Sequence, residues 1–305
     1  IMSMKAKQST EWDFEVAQIP MKYELNGKEF KSQRFANIRV DTGEELGWSS
    51  ERYAIVQNRD LIERAESKFA DRGIEWNKRN ILSTANGSKL RAVYDLSGDM
   101  FQSEVPQVGD VMGYRLILQN SFDLSLRVSF ALGLLRLVCS NGMQTMEKDV
   151  DMVSKHSSKL DLDNLITDKA LNSALASLKD STDVFAKLAG IQVEQEQGLN
   201  ILQNITGASN RIPSEKIRER VAHIWNNPTQ LRSDDRSYNL YNLYNSVTQH
   251  LTDEYEDRFE YADRISGKVL KEFSLAADNS NRLKKLIAAP KVVEVPQSEE
   301  VVVTE

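Results

Sequence analysis

Residues 114–143, YRLILQNSFDLSLRVSFALGLLRLVCSNGM, are the most apolar stretch of the chain, and their reading decides the fold class. Tyr114, Leu116 and Leu118 alternate with Arg115, Ile117 and Gln119, which is the period of a strand with one face toward a core. After a turn around Asn120 to Asp123, Leu124, Leu126, Val128 and Phe130 share a face, while Ser125, Arg127 and Ser129 face away. A second interruption follows Phe130, and Leu135, Leu137 and Cys139 then alternate with Leu134, Arg136 and Val138 up to Asn141-Gly142. The pattern predicts a three-stranded meander with one arginine on each strand.

Upstream of this stretch the chain also has strand periods. Trp12, Phe14 and Val16 alternate, as do Met21, Tyr23 and Leu25, and Asn26-Gly27 joins the latter run to KEFKSQRF as a hairpin turn. Pro20 cannot donate to a ladder, which assigns this segment to an edge or a crossover. Asp41-Thr42-Gly43 forms a turn, and LGWSSERYAIVQ predicts a strand centred on Tyr53, Ile55 and Val56. NRDLIERAESKFADRG then has a helical stripe of Leu61, Ile62, Ala65 and Phe69, with Asn58 as its cap and Gly73 at its C-terminal end. Asn86-Gly87 separates two further strands, 76–84 and 89–96.

Beyond Met143 glycine becomes sparse and the apolar period moves toward 3.6. Leu162, Leu165, Ile166, Leu171, Leu175 and Leu178 form one helical stripe, which Val184, Phe185 and Leu188 continue. Ile217, Val221 and Ile224 follow Pro213, and Leu240, Leu243, Tyr244, Val247 and Leu251 mark another helix. Two more helical segments lead to PKVVEVPQSEEVVVTE, whose two prolines and four glutamates predict a disordered acidic tail. The expected fold is therefore α+β. A β-rich region over 1–146 holds an antiparallel sheet with a packed helix and the meander at 114–143. A helical region covers 147–289, and the tail covers 290–305.

Composition narrows the function classes. The chain has 305 residues, 40% hydrophobic and 28% charged, as in a globular protein with a sizeable core. A single cysteine, Cys139, cannot form an internal disulfide. No apolar run reaches membrane-helix length and no signal-peptide core opens the sequence, so the expected location is the cytoplasm, with no membrane partner. The net charge of −6 opposes indiscriminate nucleic-acid binding, but it is unevenly spread. Residues 31–140 hold 15 Lys/Arg and 14 Asp/Glu, or +1, which leaves −7 for the remainder.

Four segments resemble a family of phage- and plasmid-borne proteins labelled as a domain of unknown function. LGWSSERYAIVQNRDLIE is similar to that family's Gly followed by Tyr-x-x-Val-Gln-Asn, and LRAVYDL to its second motif. QNSFDLSLRVSF resembles its Asn-Ser-His-Asp-Gly stretch, and LLRLVCSNGM its Arg-Val-Val-Cys-x-Asn segment. NLYNLYNSVTQHL resembles the closing helix, so the likeness runs from about Leu46 to Leu251. Phe122 stands where the family has His and Leu124 where it has Gly, so the resemblance implies no histidine chemistry here. It implies a mobile-element origin, and the order of meander and helices is similar, at fold level, to the Red-beta type of single-strand annealing protein.

Signatures of catalysis are sparse. His156, His223 and His250 lack partners at metal-ligand spacing, and no glycine-rich loop carries Lys-Ser/Thr. Cys139 on an apolar strand face suits a buried structural thiol. Asp95, Asp110 and Asp123 lie at strand ends, which keeps a metal-dependent nuclease as an alternative. The expectation is a non-enzymatic protein without a cofactor. Arg115, Arg127 and Arg136 could form a cross-strand stripe for phosphates, flanked by Gln119, Ser125 and Ser129. Trp76, Lys78 and Arg79 would add a ring beside two cations, the mixture suited to single strands. The leading expectation is a phage-type, homo-oligomeric single-stranded DNA-binding or annealing protein of recombination or replication. The alternative is an assembly or host-takeover protein acting by protein contacts, in which case those arginines are paired with carboxylates, buried, or at subunit contacts. The tyrosines of SYNLYNLYNSV are expected to pack an amphipathic helix against the core or a subunit contact.

Overall fold

The computed structural model describes residues 12–84, 86–106, 109–136, 146–147, 153–156, 168–205, 214–227, 237–255 and 258–289. The tail at 290–305, Cys139 and Pro213 lie outside the described residues, as do 157–167, where the first helical stripe was expected to begin.

Two antiparallel sheets and a set of helices make up an α+β fold. The smaller sheet has the order β1 (Val16–Leu25), β2 (Lys28–Arg39), β3 (Glu45–Ser50). Asn26 and Gly27 both have left-handed φ, 54° and 71°, as a two-residue hairpin turn requires. As Pro20 implied, β1 is an edge strand, and the register with β2 shifts between Pro20 and Lys22. β3 pairs only with residues 34–38 of β2, so the far part of the β1–β2 hairpin extends beyond it as a two-stranded ribbon. The strand expected at Tyr53–Val56 lies earlier, at β3, and residues 51–57 form a turn and an extended connection.

Helix α1 (Asn58–Asp71) follows, then β4 (Trp76–Ser83), β5 (Lys89–Leu96), β6 (Gln102–Glu104), β7 (Val111–Ser121) and β8 (Val128–Arg136). Two short strands, β9 (Met146–Glu147) and β10 (Val153–Ser154), pair with β8. The main path of this larger sheet is β10-β8-β7-β5-β4. The opening stretch therefore differs from the expected meander: residues 124–127 belong to a loop, and β8 runs unbroken through Ala131-Leu132-Gly133. Leu124 and Leu126 are not strand residues, and Leu124 is 47% exposed. Ala131 and Gly133 are not turn residues; Ala131 pairs with Ile117 and Gly133 with Arg115 in the β7–β8 register.

The two faces of the larger sheet differ. Leu90, Ala92, Tyr94, Leu116, Leu118, Phe130 and Leu132 enter the main core. Phe69 of α1 lies there, ring to ring with Trp76, Tyr94 and Phe130 at 5.4–5.9 Å. The same core includes residues of α2 (Asp168–Gly190), α3 (Gln195–Asn204), α4 (Glu215–Asn226), α5 (Leu240–Glu254), α6 (Phe259–Ala277) and α7 (Ser280–Ile287). The sheet and the helices therefore bury one continuous apolar interior. Tyr241 and Tyr244 of α5 are fully buried against Phe185, the core role expected of them.

Candidate nucleic-acid interface

The register does not assemble the expected arginine stripe. Arg127 lies in the loop before β8 and is exposed, whereas Arg136 ends that strand. They lie nine positions apart along the chain, about 30 Å of extended backbone, too far for one phosphate-binding stripe. Arg115, opposite Gly133, is ion-paired across the sheet to Asp95 at 2.6 Å, with 14% of its side chain exposed. Trp76 is half-buried and edge-on to Phe69 and Tyr94, so it packs the core rather than offering a free stacking surface. Lys78 and Arg79 belong to β4, but their side chains, like that of Arg136, lie outside the described residues.

An arginine not singled out from sequence occupies the polar face of this sheet. Arg91 of β5 is 1% exposed at its side chain and donates to both carboxylate oxygens of Asp263 on α6, at 2.6 and 3.3 Å. Gln119 and Ser129 are buried opposite one another on the neighbouring strands, and the Ser129 hydroxyl donates to Gln119 Oε1 at 3.2 Å. Arg91 lies within LRAVYDL, where alternation with Leu90 and Ala92 was visible, but its partner is 172 residues away. These arginines bolt the sheet together and fasten it to the helices.

The three carboxylates considered as metal ligands are separately engaged. Asp95 holds Arg115, Asp110 accepts from the Tyr241 hydroxyl at 2.9 Å, and Asp123 accepts from the Ser125 backbone N–H at 2.9 Å. Among the described residues no group of three or more His, Cys, Asp or Glu could hold a metal ion. Two of the three histidines are packed into the fold. His250 is buried against Tyr255, and burial lowers its pKa. His156 stacks on Tyr53 at 4.7 Å with Nδ1 3.1 Å from the Ala54 carbonyl, and burial lowers its pKa as well.

The family-like motif residues knit the two sheets together. The Gln57 side chain donates to the Val16 carbonyl and accepts from its N–H, tying β1 to the start of α1. Asn120 donates to the Val56 carbonyl and to Asn58 Oδ1, Tyr53 donates to the Ser121 carbonyl, and Asn37 donates to the Phe122 carbonyl. Asn58 thus serves this junction, and Gln57 is the residue in N-cap position for α1. Gly47 meets the 122–123 backbone so closely that a Cβ there would lie 2.6 Å from Asp123 Cα.

Exposed rings and cations collect on the smaller sheet. Ile19, Tyr23, Leu25, Phe30 and Trp48 are each at least 41% exposed. Tyr23 and Phe30 pair across the hairpin and stack at 5.5 Å, with 16° between their planes. Ile19, Ala36 and Trp48 make one row across all three strands, and the Arg34 guanidinium lies 3.9 Å above the Trp48 ring. Lys28 and Lys31 are exposed on the ribbon, and Lys22 is held by Glu29 at 2.7 Å. Three aromatic rings and three cations outside the ion pairs of the described residues thus project from a sheet anchored at its base by the Gln57, Asn37 and Tyr53 hydrogen bonds. The sequence signal was the Asn26-Gly27 hairpin, whose alternation showed a strand without showing which face lacked a cover.

The chain is thus an α+β protein with no metal-ligand cluster among its described residues. Residues 45–286 match the model of a domain of unknown function (DUF932), and the chain belongs to that family. No curated protein and no solved structure matches it. β1 and β2 precede the matched region. Among the described residues no helix is long and apolar enough to cross a membrane.

Proposed function

We propose that the protein is a non-enzymatic binder of single-stranded DNA, with the smaller sheet as its interface. The observation that carries this reading is the exposed set of Trp48 under Arg34, the Tyr23–Phe30 stack, and Lys28 and Lys31 on the same ribbon. Unpaired bases offer flat faces that stack on such rings, contributing about 1–3 kcal/mol per base, and cations beside the rings meet the phosphates. A patch of this kind on a folded surface marks an interaction site, since isolated proteins rarely leave several large rings together in water. The resemblance of its motifs to phage- and plasmid-borne proteins supports a role in recombination or replication of mobile-element DNA in a bacterial host cytoplasm.

Fluorescence anisotropy with a labelled oligothymidine, comparing the native chain with Trp48→Ala and with Tyr23→Ala/Phe30→Ala, tests the reading. Each variant is expected to weaken binding by roughly tenfold, the equivalent of about 1.4 kcal/mol. Equal affinity in all three proteins would remove the smaller sheet from the interface. One observation favours a second reading, in which the chain acts in assembly or host takeover through protein contacts. Arg115 is paired with Asp95, one of the arrangements that alternative allows. Complete absence of oligonucleotide binding would select it.

A further inference from the structure

We propose that β1 pairs edge to edge, antiparallel, with β1 of a second copy of this chain, about a two-fold axis at Tyr23. This inference stands apart from DNA binding, because it uses the strand's backbone edge and its charge order rather than the exposed ring faces.

The hairpin sets the geometry. Leu25 and Lys28 flank the two-residue turn and form the first hydrogen-bonded pair, so alternation makes Tyr23–Phe30 the next. Lys22 and Glu24 then direct their backbone N–H and C=O groups away from β2, along the free edge. An antiparallel copy centred on Tyr23 sets Lys22 opposite the second copy's Glu24, and Glu24 opposite its Lys22. Both are outward-directed residues, so the backbone bonds and the charges match in one register. Met21 falls opposite Leu25 at each end. Pro20, which has no N–H to offer, falls opposite the turn, where none is needed.

The hairpin alone leaves its charges poorly matched. Lys22 lies directly opposite Lys31, and Glu24 directly opposite Glu29. Like charges at such positions are unfavourable. Lys22 reaches diagonally to Glu29 at 2.7 Å, while Glu24 has no ion pair among the described residues. The second copy supplies the missing cation. On the other face, Tyr23 meets its counterpart, and the stacked Tyr23–Phe30 pair becomes a row of four rings across the axis. The exposed end of β1, residues 21–25, is thereby paired, and the two small sheets join as one six-stranded surface.

Sedimentation velocity of the full chain without DNA, up to roughly 100 μM because a small interface is weak, tests this. The expected species has twice the chain mass of 34.6 kDa. Lys22→Glu alone and Glu24→Lys alone each place like charges across the axis and are expected to sediment as monomers. An equimolar mixture of the two single variants restores both pairs and is expected to give a heterodimer, as is the Lys22→Glu/Glu24→Lys chain with itself. A monomeric native chain would overturn the proposal, as would single variants that dimerise like the native chain or a mixture that stays monomeric. Circular dichroism of each variant confirms that the ribbon's host fold is intact. DNA binding is scored separately, so loss of either property leaves the other readable.

Discussion

Removing the Asp263 carboxylate should be among the most damaging single changes on the surface of the helical layer. In the native chain Arg91 is 1% exposed and Asp263 11%, with contacts of 2.6 and 3.3 Å between them. Asp263→Ala leaves a guanidinium buried without this counter-charge, a loss of about 3–5 kcal/mol for a pair of this kind. Arg91 has further interactions, which favours the lower end, about 3 kcal/mol. At ~2–4 °C per kcal/mol for a domain of moderate size, the melting temperature should fall by roughly 6–12 °C. Urea unfolding followed by circular dichroism measures the free energy, and calorimetry the temperature. Lys187→Ala, which deletes an ion pair whose partners are both 61% exposed, provides the contrast and should cost no more than about 1 kcal/mol. The Arg91→Met/Asp263→Leu double variant should recover most of the loss, because an apolar pair of similar size carries no desolvation penalty. A cost below about 1 kcal/mol for Asp263→Ala, or a double variant as unstable as the single one, would refute the assignment of Arg91 as a bolt between sheet and helices.

Other changes probe the junction and its loop. Gly47→Ala should destabilise by at least about 2 kcal/mol in the same urea assay, since the added methyl meets the Asp123 backbone at 2.6 Å. Leu124→Gly should be neutral or stabilise by up to about 1 kcal/mol, because Leu124 is exposed and holds a left-handed φ of 64° that glycine adopts without strain. Asn120→Ala should cost about 2–3 kcal/mol, as it leaves the buried Val56 carbonyl and Asn58 side chain without their donor. Stability should also depend on pH through His156 and His250. Burial lowers both pKa values below the ordinary 6.5, so the folded state favours neutral rings. Their contribution is fully present above about pH 6.5 and is lost as pH falls through the lower folded values. Replacing both with Gln should flatten that acid limb, and an unchanged limb would show that these histidines do not govern it.

Local signals in the sequence served the fold well where the structure is set by neighbours. Asn26-Gly27 and Asn86-Gly87 both join hairpins, and the Leu61–Phe69 stripe is the buried face of α1. The apolar alternation of residues 114–119 also marks the face of β7 that enters the core. Reading failed where long-range packing decides. Ala131-Leu132-Gly133 looked like an interruption because small residues and glycine punctuate loops, yet these residues pair with β7 as ordinary strand positions. Leu124 and Leu126 fit a strand period, but the loop they occupy is held by Ser121 and Asp123 hydrogen bonds. The pairing of Arg91 with Asp263 spans most of the chain, and no spacing rule reaches that far. The exposed rings of the ribbon were visible as residues but not as a surface, because exposure depends on β3 ending short of the hairpin tip.

The most direct measurement is the affinity for oligothymidine as a function of salt. Lys28, Lys31 and Arg34 are the interface cations without an ion pair among the described residues, so about three phosphates are neutralised. Log affinity should then fall against log salt with a slope of about −2, or roughly fifteenfold between 50 and 200 mM. Binding of that slope that is lost on Lys28→Ala/Lys31→Ala is the predicted result. No binding, or binding indifferent to salt, would contradict the account.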